Sequence, residues 1–170
     1  MSKRSRKKPV PQTPVEIRID SLTHDGRGVG RIEGKAVFVD GALLGERVVL
    51  QYTECHSKYD EGRAIEILDS SPDRVEPRCA QANLCGGCSL QHMSSPAQIA
   101  MKQNILLDQL KHFGDLQPQE LLPPMTGPEF GYRRKARLGA KYVPKKGGVL
   151  LGFREKRTSF LAQIDQCHVL

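Results

Sequence analysis

The sequence predicts a mostly β protein with one helix, organised as a small OB-like β-barrel followed by an α+β domain with an antiparallel sheet. Three observations predict it. Five short apolar or alternating runs separated by glycine turns fill residues 15–68, a single amphipathic helical pattern follows near residue 95, and four spaced cysteines occupy the part of the chain after the runs. With 170 residues, no Trp, 16 Gly and 11 Pro, two small domains are expected rather than one large core. Each would gain from a metal or cluster that ties its loops together.

The elements follow in order. Residues 1–12 (MSKRSRKKPVPQ) are charged, proline-bearing and aperiodic, which predicts a disordered basic arm, either lending nonspecific affinity for a polyanion or serving as a solubilising tail. Residues 13–70 form the predicted barrel, with strands VEIRI, GVGRI, KAVFV, ERVVLQY and GRAIEIL and turn signals at Asp25-Gly26, Glu33-Gly34 and Gly41. Closure is expected because a sheet this short buries its face only by curling on itself. Residues 71–170 form the second domain. A Pro- and Ser-containing connector leads into the cysteines, and SSPAQIAMKQNILLDQLKHFG then reads as a helix. Ser95 is its expected cap, Pro96 its first residue, Gln98 the partner in a capping box and Gly114 its end, with Ile99, Leu106, Leu110 and Phe113 on one face. A proline-rich loop over 121–129 precedes two expected hairpin strands, RRKARLGAKYV and VLLGFR, and a third, FLAQIDQC.

The charge is local. Net charge is +7, and the first eight residues hold five Lys or Arg; Tyr132 to Thr158 carry ten more against one acid, Glu155, whereas residues 9–131 hold eleven cations against seventeen acids. A basic stretch beside an acidic module is the footprint of a polyanion-binding face, and nucleic acid is favoured over membrane. No apolar run is long enough to span a bilayer and the basic start lacks an apolar signal region, so a cytoplasmic protein is expected.

Cys79, Cys85 and Cys88 form C-x5-C-x2-C, and Cys167 follows at the end of the last expected strand. Three plus one is a ligand set, and in a reducing cytosol spaced cysteines bind a metal or cluster more often than they form disulfides. Four thiolates hold either an iron-sulfur cube or zinc; the absence of a second C-x2-C knuckle tilts the reading toward a cluster. Gly86 and Gly87 are expected to let the backbone turn tightly between the ligands, and Cys55 is read as a bystander.

Read in order, GRGVGRIEGKAVFVDGALLGERV, SPDRVEPRC, C-x5-C-G-G-C-x2-QH, GYRRKARL, LGFRE and QCHVL make the chain resemble the RlmD type of bacterial uracil-C5 methyltransferase, which acts on 23S ribosomal RNA. The resemblance covers nearly everything after the basic arm. It implies that residues 13–70 are a TRAM domain, an OB-like RNA-binding barrel, and that Cys79, Cys85, Cys88 and Cys167 hold a [4Fe-4S] cluster in an iron-sulfur central domain. It also implies a doubly wound S-adenosylmethionine domain, a cysteine nucleophile and a carboxylate base, none of which is in this sequence. The chain is therefore expected to be a fragment of a longer enzyme, inactive alone, without catalytic residues of its own and monomeric. The rival readings are a stand-alone RNA-binding module with a structural four-cysteine zinc site and, less well supported by the basic patch, a small electron carrier.

The RNA-binding candidates are Arg133, Lys135 and Arg137, expected to share one face of a strand, together with Arg154, which extends the patch with Arg157; a solvated charged strand is the plain alternative. In the barrel, Phe38 lies between Val37 and Val39 and either stacks on a splayed base or fills the core. Arg31, Lys35, Lys58 and Arg63 are candidate phosphate contacts.

Overall fold

The computed structural model describes residues 9–170, so the first eight residues of the expected basic arm lie outside the described residues. The chain divides into two units, the first running to Arg74 and the second from Val75 to Leu170.

In the first unit every expected run is a strand. β1 (Val15–Arg18), β2 (Ser21–Leu22), β3 (Gly28–Ile32), β4 (Lys35–Asp40), β5 (Arg47–Cys55) and β6 (Tyr59–Asp69) make one mixed sheet in the order β1-β5-β6-β4-β3-β2. Neighbours run antiparallel except β4 and β6, which are parallel. The expectation of a closed barrel is corrected here: the ladder ends at β1 on one side and β2 on the other. These two edges are successive pieces of one bent segment. The Ile19 N–H donates to the Glu46 carbonyl at 2.9 Å and the next N–H, of Asp20, donates to the Val29 carbonyl at 2.8 Å. The segment thus leaves β5 and joins β3 within two residues, and the change of partner interrupts the ladder.

Period-two alternation places the core. Ile17, Ile19, Val37, Val39, Ala42, Val48 and Leu50 form one buried aliphatic cluster. Between β3 and β4 the register pairs Ile32 with Lys35, leaving Glu33 and Gly34 as a two-residue turn with φ of 49° and 80°. Positive φ at both positions gives the turn the twist that antiparallel strands require, and the glycine takes it without a steric cost.

One buried polar contact fixes the end of this unit. Glu46 is fully buried, and its carboxylate accepts the N–H groups of Leu43 at 2.8 Å and Ser71 at 3.1 Å and two guanidinium bonds from Arg74 at 2.5 and 2.7 Å. Arg74 also donates to the Gly41 carbonyl at 2.7 Å. Burial alone would push the Glu46 carboxyl up, but these donors and the Arg74 charge outweigh it and hold the carboxyl below its ordinary value. The stretch from Ser71 to Arg74 is thereby fastened to the sheet.

The second unit holds helix α1 (Ser95–Gly114) and an antiparallel hairpin of β7 (Gly139–Val143) and β8 (Gly148–Gly152), joined through a 3-10 turn at Pro144–Lys146. Ser94 rather than Ser95 is the cap residue, and it makes no side-chain capping bond. Gln98 does not close a capping box: its amide donates back to the carbonyls of Leu90 at 3.0 Å and Met93 at 2.8 Å, tying the first turn to the preceding loop. At the other end Gly114 is the last helical residue and Asp115 takes the left-handed conformation, with Leu116 N–H returning to the Leu110 carbonyl at 3.1 Å.

Two expected strands are corrected. Residues 132–138 are irregular, although Gly131 and Arg133 donate their N–H groups to the carbonyls of His168 and Val169, both at 2.9 Å. The segment FLAQIDQC follows β8 only through spaced bonds, Ala162 N–H to Phe153 and Ile164 N–H to Leu151, at 2.9 and 3.1 Å, and forms no continuous ladder. The second unit's buried apolar side chains are few: Ala82, Cys85, Met93, Ala162 and Val169.

Candidate functional site: a four-cysteine cavity and two basic surfaces

The first three cysteines are shaped by local hydrogen bonds. Ala82 N–H donates to the Cys79 carbonyl at 3.0 Å and Cys85 N–H to the Gln81 carbonyl at 2.7 Å, which coils 79–85 into successive turns. The Gln91 side-chain oxygen accepts the Cys79 N–H at 3.2 Å and so holds the first ligand candidate from behind. The segment after β8 clamps the other end. Gly86 N–H donates to the Arg154 carbonyl at 2.8 Å, Lys156 N–H donates to Leu84, and the Lys156 ammonium donates to the Ala82 carbonyl at 2.7 Å.

Gly86 is required here for a different reason than the expected tight turn. A Cβ at that position would come within 2.9 Å of the Arg154 carbonyl oxygen, so the residue is small because a second chain segment crosses against it. The Gly87 N–H points to the Cys85 sulfur at 3.3 Å.

Cys79, Cys85, Cys88 and Cys167 line one small, predominantly apolar cavity together with Phe153, Ile164 and His168. Burial pushes the Cys85 thiol up; its contact with the Gly87 N–H lowers it, and the neighbouring Cys88, Cys79 and Cys167 push it up again. The three neighbouring thiols act on Cys85 because the four sulfurs line the same space. All four are free thiols, and among the described residues no three His, Cys, Asp or Glu are drawn into a metal-binding geometry. The donor set nevertheless fits a thiophilic group: four sulfurs around an apolar wall, with a backbone N–H directed at one of them. Cys55 is elsewhere, on β5 opposite Asp60 in the first unit.

The basic candidates fall into two separate sets. In the second unit Lys135 and Arg137 are exposed in the irregular segment, while Arg133 is half-buried with its guanidinium 5.9 Å from the Tyr132 ring centre. Without a strand the expected shared face of Arg133, Lys135 and Arg137 has no pleat to define it. Arg154 is exposed and its backbone bridges Leu161.

In the first unit Lys58 and Arg63 are exposed, and Arg31 is exposed while donating to the Gly34 carbonyl at 3.1 Å. Lys35 is engaged, with its ammonium 2.6 Å from Asp60 and 2.7 Å from the His56 carbonyl. Burial would raise the Asp60 carboxyl, but Lys35 and the His56 N–H together hold it below the ordinary carboxylate value. Phe38 is half-buried on the face opposite the fully buried Val37 and Val39, so it is not part of the aliphatic core. Sequence reasoning missed Arg74, Gln91 and Lys156, all of which act by holding backbone in place. The arginine and glutamine sit inside the quoted motifs SPDRVEPRC and C-x2-QH, whose fixed spacing was the available signal.

A family model described as the TRAM domain matches residues 13–65. Over 165 residues the chain is 55% identical to the 23S rRNA (uracil(1939)-C(5))-methyltransferase RlmD of Alcanivorax borkumensis, a match covering 97% of this chain and 37% of that protein. It is 49% identical over 171 residues to the protein of the same name from Nitrosococcus oceani, covering all of this chain and 38% of the relative. The chain thus spans a little over a third of the length of the curated relatives it matches. Among solved structures it is similar to the Pyrococcus abyssi tRNA (uracil-54, C5)-methyltransferase in complex with S-adenosyl-L-homocysteine, with a TM-score of 0.57 and 26% identity over 91% of this chain and 32% of that one. No helix of the described residues is long and apolar enough to cross a membrane.

Proposed function

We propose, for a chain that belongs to the RlmD-type uracil-C5 methyltransferase family and spans a little over a third of its members' length, a role in gripping RNA rather than in chemistry. It supplies the RNA-binding and cluster-bearing portion of an S-adenosylmethionine-dependent enzyme that forms 5-methyluridine in 23S ribosomal RNA. The observation that carries the reading is the convergence of Cys79, Cys85, Cys88 and Cys167 on one apolar cavity, within a chain that also matches an RNA-binding TRAM domain.

These four residues would hold a [4Fe-4S] cluster. Methyl transfer to uracil involves no net electron transfer, so the cluster's contribution when bound is a set of iron-thiolate ties within a loop-rich unit. Lys156, Gln91 and the Gly87 N–H position the loop that carries three of the ligands. Lys135, Arg137, Arg133 and Arg154 in the second unit, and Arg31, Lys58 and Arg63 in the first, address phosphates; Lys35 serves by ordering the turn around His56 and Asp60. The S-adenosylmethionine site, the nucleophile and the base belong to the remainder of the relatives' length, which receives a uracil flipped out of its stack.

The test is compositional. Protein prepared without air carries iron and sulfide in equal amounts, is brown, and loses that colour on Cys85→Ser. Stoichiometric zinc without sulfide in the same preparation refutes the cluster and leaves an RNA-binding zinc module. The isolated chain, incubated with S-adenosylmethionine and ribosomal RNA, transfers no methyl group; turnover by homogeneous protein would place chemistry within these residues.

A further inference from the structure

We propose that Phe38, Tyr59 and His56 form a stacking platform for unpaired bases of single-stranded RNA on the outer face of the first unit's sheet. The proposal rests on the RNA-binding reading above and names the form of RNA that this surface takes.

The platform follows from register. β4 and β6 run parallel with Phe38 opposite Glu61 and Ala36 opposite Tyr59. Along β6 the residues Asp60 and Gly62 are buried, so Tyr59, Glu61 and Arg63 share the other face, where alternation also places Phe38. The three rings touch in series. Phe38 and Tyr59 meet edge to face with centres 5.4 Å apart, and Tyr59 and His56 are stacked at 4.5 Å with 30° between their planes. Tyr59 remains 36% exposed and the His56 side chain 35%.

Packing does not account for these rings. The core on the opposite face is aliphatic throughout, and only Tyr52 contributes a ring at its margin. The whole chain has five Phe, four Tyr and no Trp; two of these nine rings stand side by side on the outside of a small sheet whose inside is filled without them.

Charge decides which part of a nucleotide the rings take. Arg27 lies over Phe38 with its guanidinium carbon 5.2 Å from the ring centre, and it pairs with Glu61 at 3.4 Å and Asp25 at 3.0 Å. His56 Nε2 lies 3.6 Å from Glu54 and 3.7 Å from Glu61. Carboxylates this close to the rings repel a phosphate but not an uncharged base, which can extend the Tyr59–His56 stack. Exposed cations flank the acids: Lys58, in the bend just before β6, adjoins Tyr59, and Arg63 continues the outer face beyond Glu61. A base on the rings with its neighbouring phosphates on Lys58 and Arg63 is the arrangement of single-strand binding surfaces, which combine aromatic faces with a cationic track. A duplex, whose bases are already stacked on each other, offers the platform nothing.

The experiment uses the 170-residue chain with a labelled short oligouridylate and, separately, a blunt RNA duplex of equal length, at several salt concentrations. Tyr59→Ala is expected to weaken binding of the single strand roughly tenfold, with the salt slope unchanged, and to leave duplex binding as it was. Tyr59→Phe retains the affinity, and Tyr59→Leu, which keeps apolar packing without an aromatic face, loses it as the Ala variant does; circular dichroism shows whether each variant is folded. Unchanged single-strand affinity in folded Tyr59→Leu overturns the platform, as does an equal loss on single strand and duplex. A wild-type chain that binds neither RNA overturns the RNA-binding reading itself, an outcome distinct from the failure of the platform alone.

Discussion

Truncating Arg74 to Ala leaves Glu46 fully buried with only the N–H groups of Leu43 and Ser71 for its carboxylate. Two guanidinium bonds to the carboxylate and one to the Gly41 carbonyl are lost. Removing one partner of a buried pair costs about 3 to 5 kcal/mol, because the other charge stays behind without compensation. The Arg74 side chain is 20% exposed, so water reaches the vacated space and the cost falls at the lower end, about 3 kcal/mol. The assay is urea unfolding followed by circular dichroism, read at several pH values.

Its pH dependence carries a sign. In the intact protein the Glu46 carboxyl is held below its ordinary value, below that of the unfolded chain. Its contribution is therefore fully present above the unfolded carboxylate value and is lost as pH falls through the folded one. In Arg74→Ala the two guanidinium bonds and the neighbouring charge no longer lower the carboxyl, which therefore lies higher than in the parent. The stability the ionised group contributes shrinks accordingly. Acidification should thus destabilise the parent more than the variant, and Glu46→Gln should remove the contrast. A loss under about 1 kcal/mol, or identical pH slopes in parent and variant, would refute the claim that this pair fastens residues 71–74 to the sheet.

Three further outcomes are expected. Replacing Arg133, Lys135 and Arg137 together by Ala should make the slope of log affinity for structured RNA against log salt shallower by about two to three units, at roughly 0.7 to 0.9 per phosphate contact. Because Arg133 is half-buried beside Tyr132, the smaller figure is favoured, and an unchanged slope would move the footprint to the first unit. Lys156→Met removes the ammonium bond to the Ala82 carbonyl, so anaerobically prepared variant should lose the absorbance of the proposed iron-sulfur cluster to a chelator faster than the parent; equal rates would mean that the loop holds its shape without that bond. Leu106 is 55% and Phe113 83% exposed on α1, so Leu106→Lys with Phe113→Lys should lower binding of a hydrophobic dye while leaving unfolding within about 0.5 kcal/mol of the parent. A large loss of stability would show that this face is packed.

What the sequence disclosed follows from the range of the interactions involved. Val37 and Val39 went inward and Phe38 outward because period-two alternation is a local property, and Glu33-Gly34 made its turn because both conformations are set within two residues. Closure was not legible in the same way: Ile19 and Asp20 send consecutive N–H groups to Glu46 and Val29, and no local pattern records that a strand changes partner. The stretch RRKAR shows the opposite failure. It reads as the start of a strand because RRKARLGAKYV leads into the turn residues 144–148, yet the strand begins only at Gly139 and residues 132–138 are irregular. The Gln98 amide likewise had the right spacing for a capping box and found the carbonyls of Leu90 and Met93 instead, a competition between acceptors that spacing does not decide.

The grouping of Cys79, Cys85, Cys88 and Cys167 by spacing agrees with their lining one cavity, whereas the residues that hold the loop around them were not legible. Lys156 lies far along the chain from Ala82, and its ammonium bond, like the Arg154 carbonyl that excludes a side chain at Gly86, exists only once the segment after β8 has returned to the loop. The first unit closes seven aliphatic residues into one core. The second buries Ala82, Cys85, Met93, Ala162 and Val169, and its helix buries none of its own residues. A core so small offsets little of the conformational entropy of the loops around it. Holding the proposed cluster, Cys79, Cys85, Cys88 and Cys167 would close a long loop with strong bonds, which is where a tie contributes most. Removing the ligand set should therefore unfold the second unit while leaving the first unit's sheet intact. In Cys85→Ser the amide protons of β4 and β5 stay protected from exchange and those of β7 and β8 do not. Equal protection in both units would show that the second folds without its ligand set, and the cavity would then have to be read as a binding site rather than as a tie.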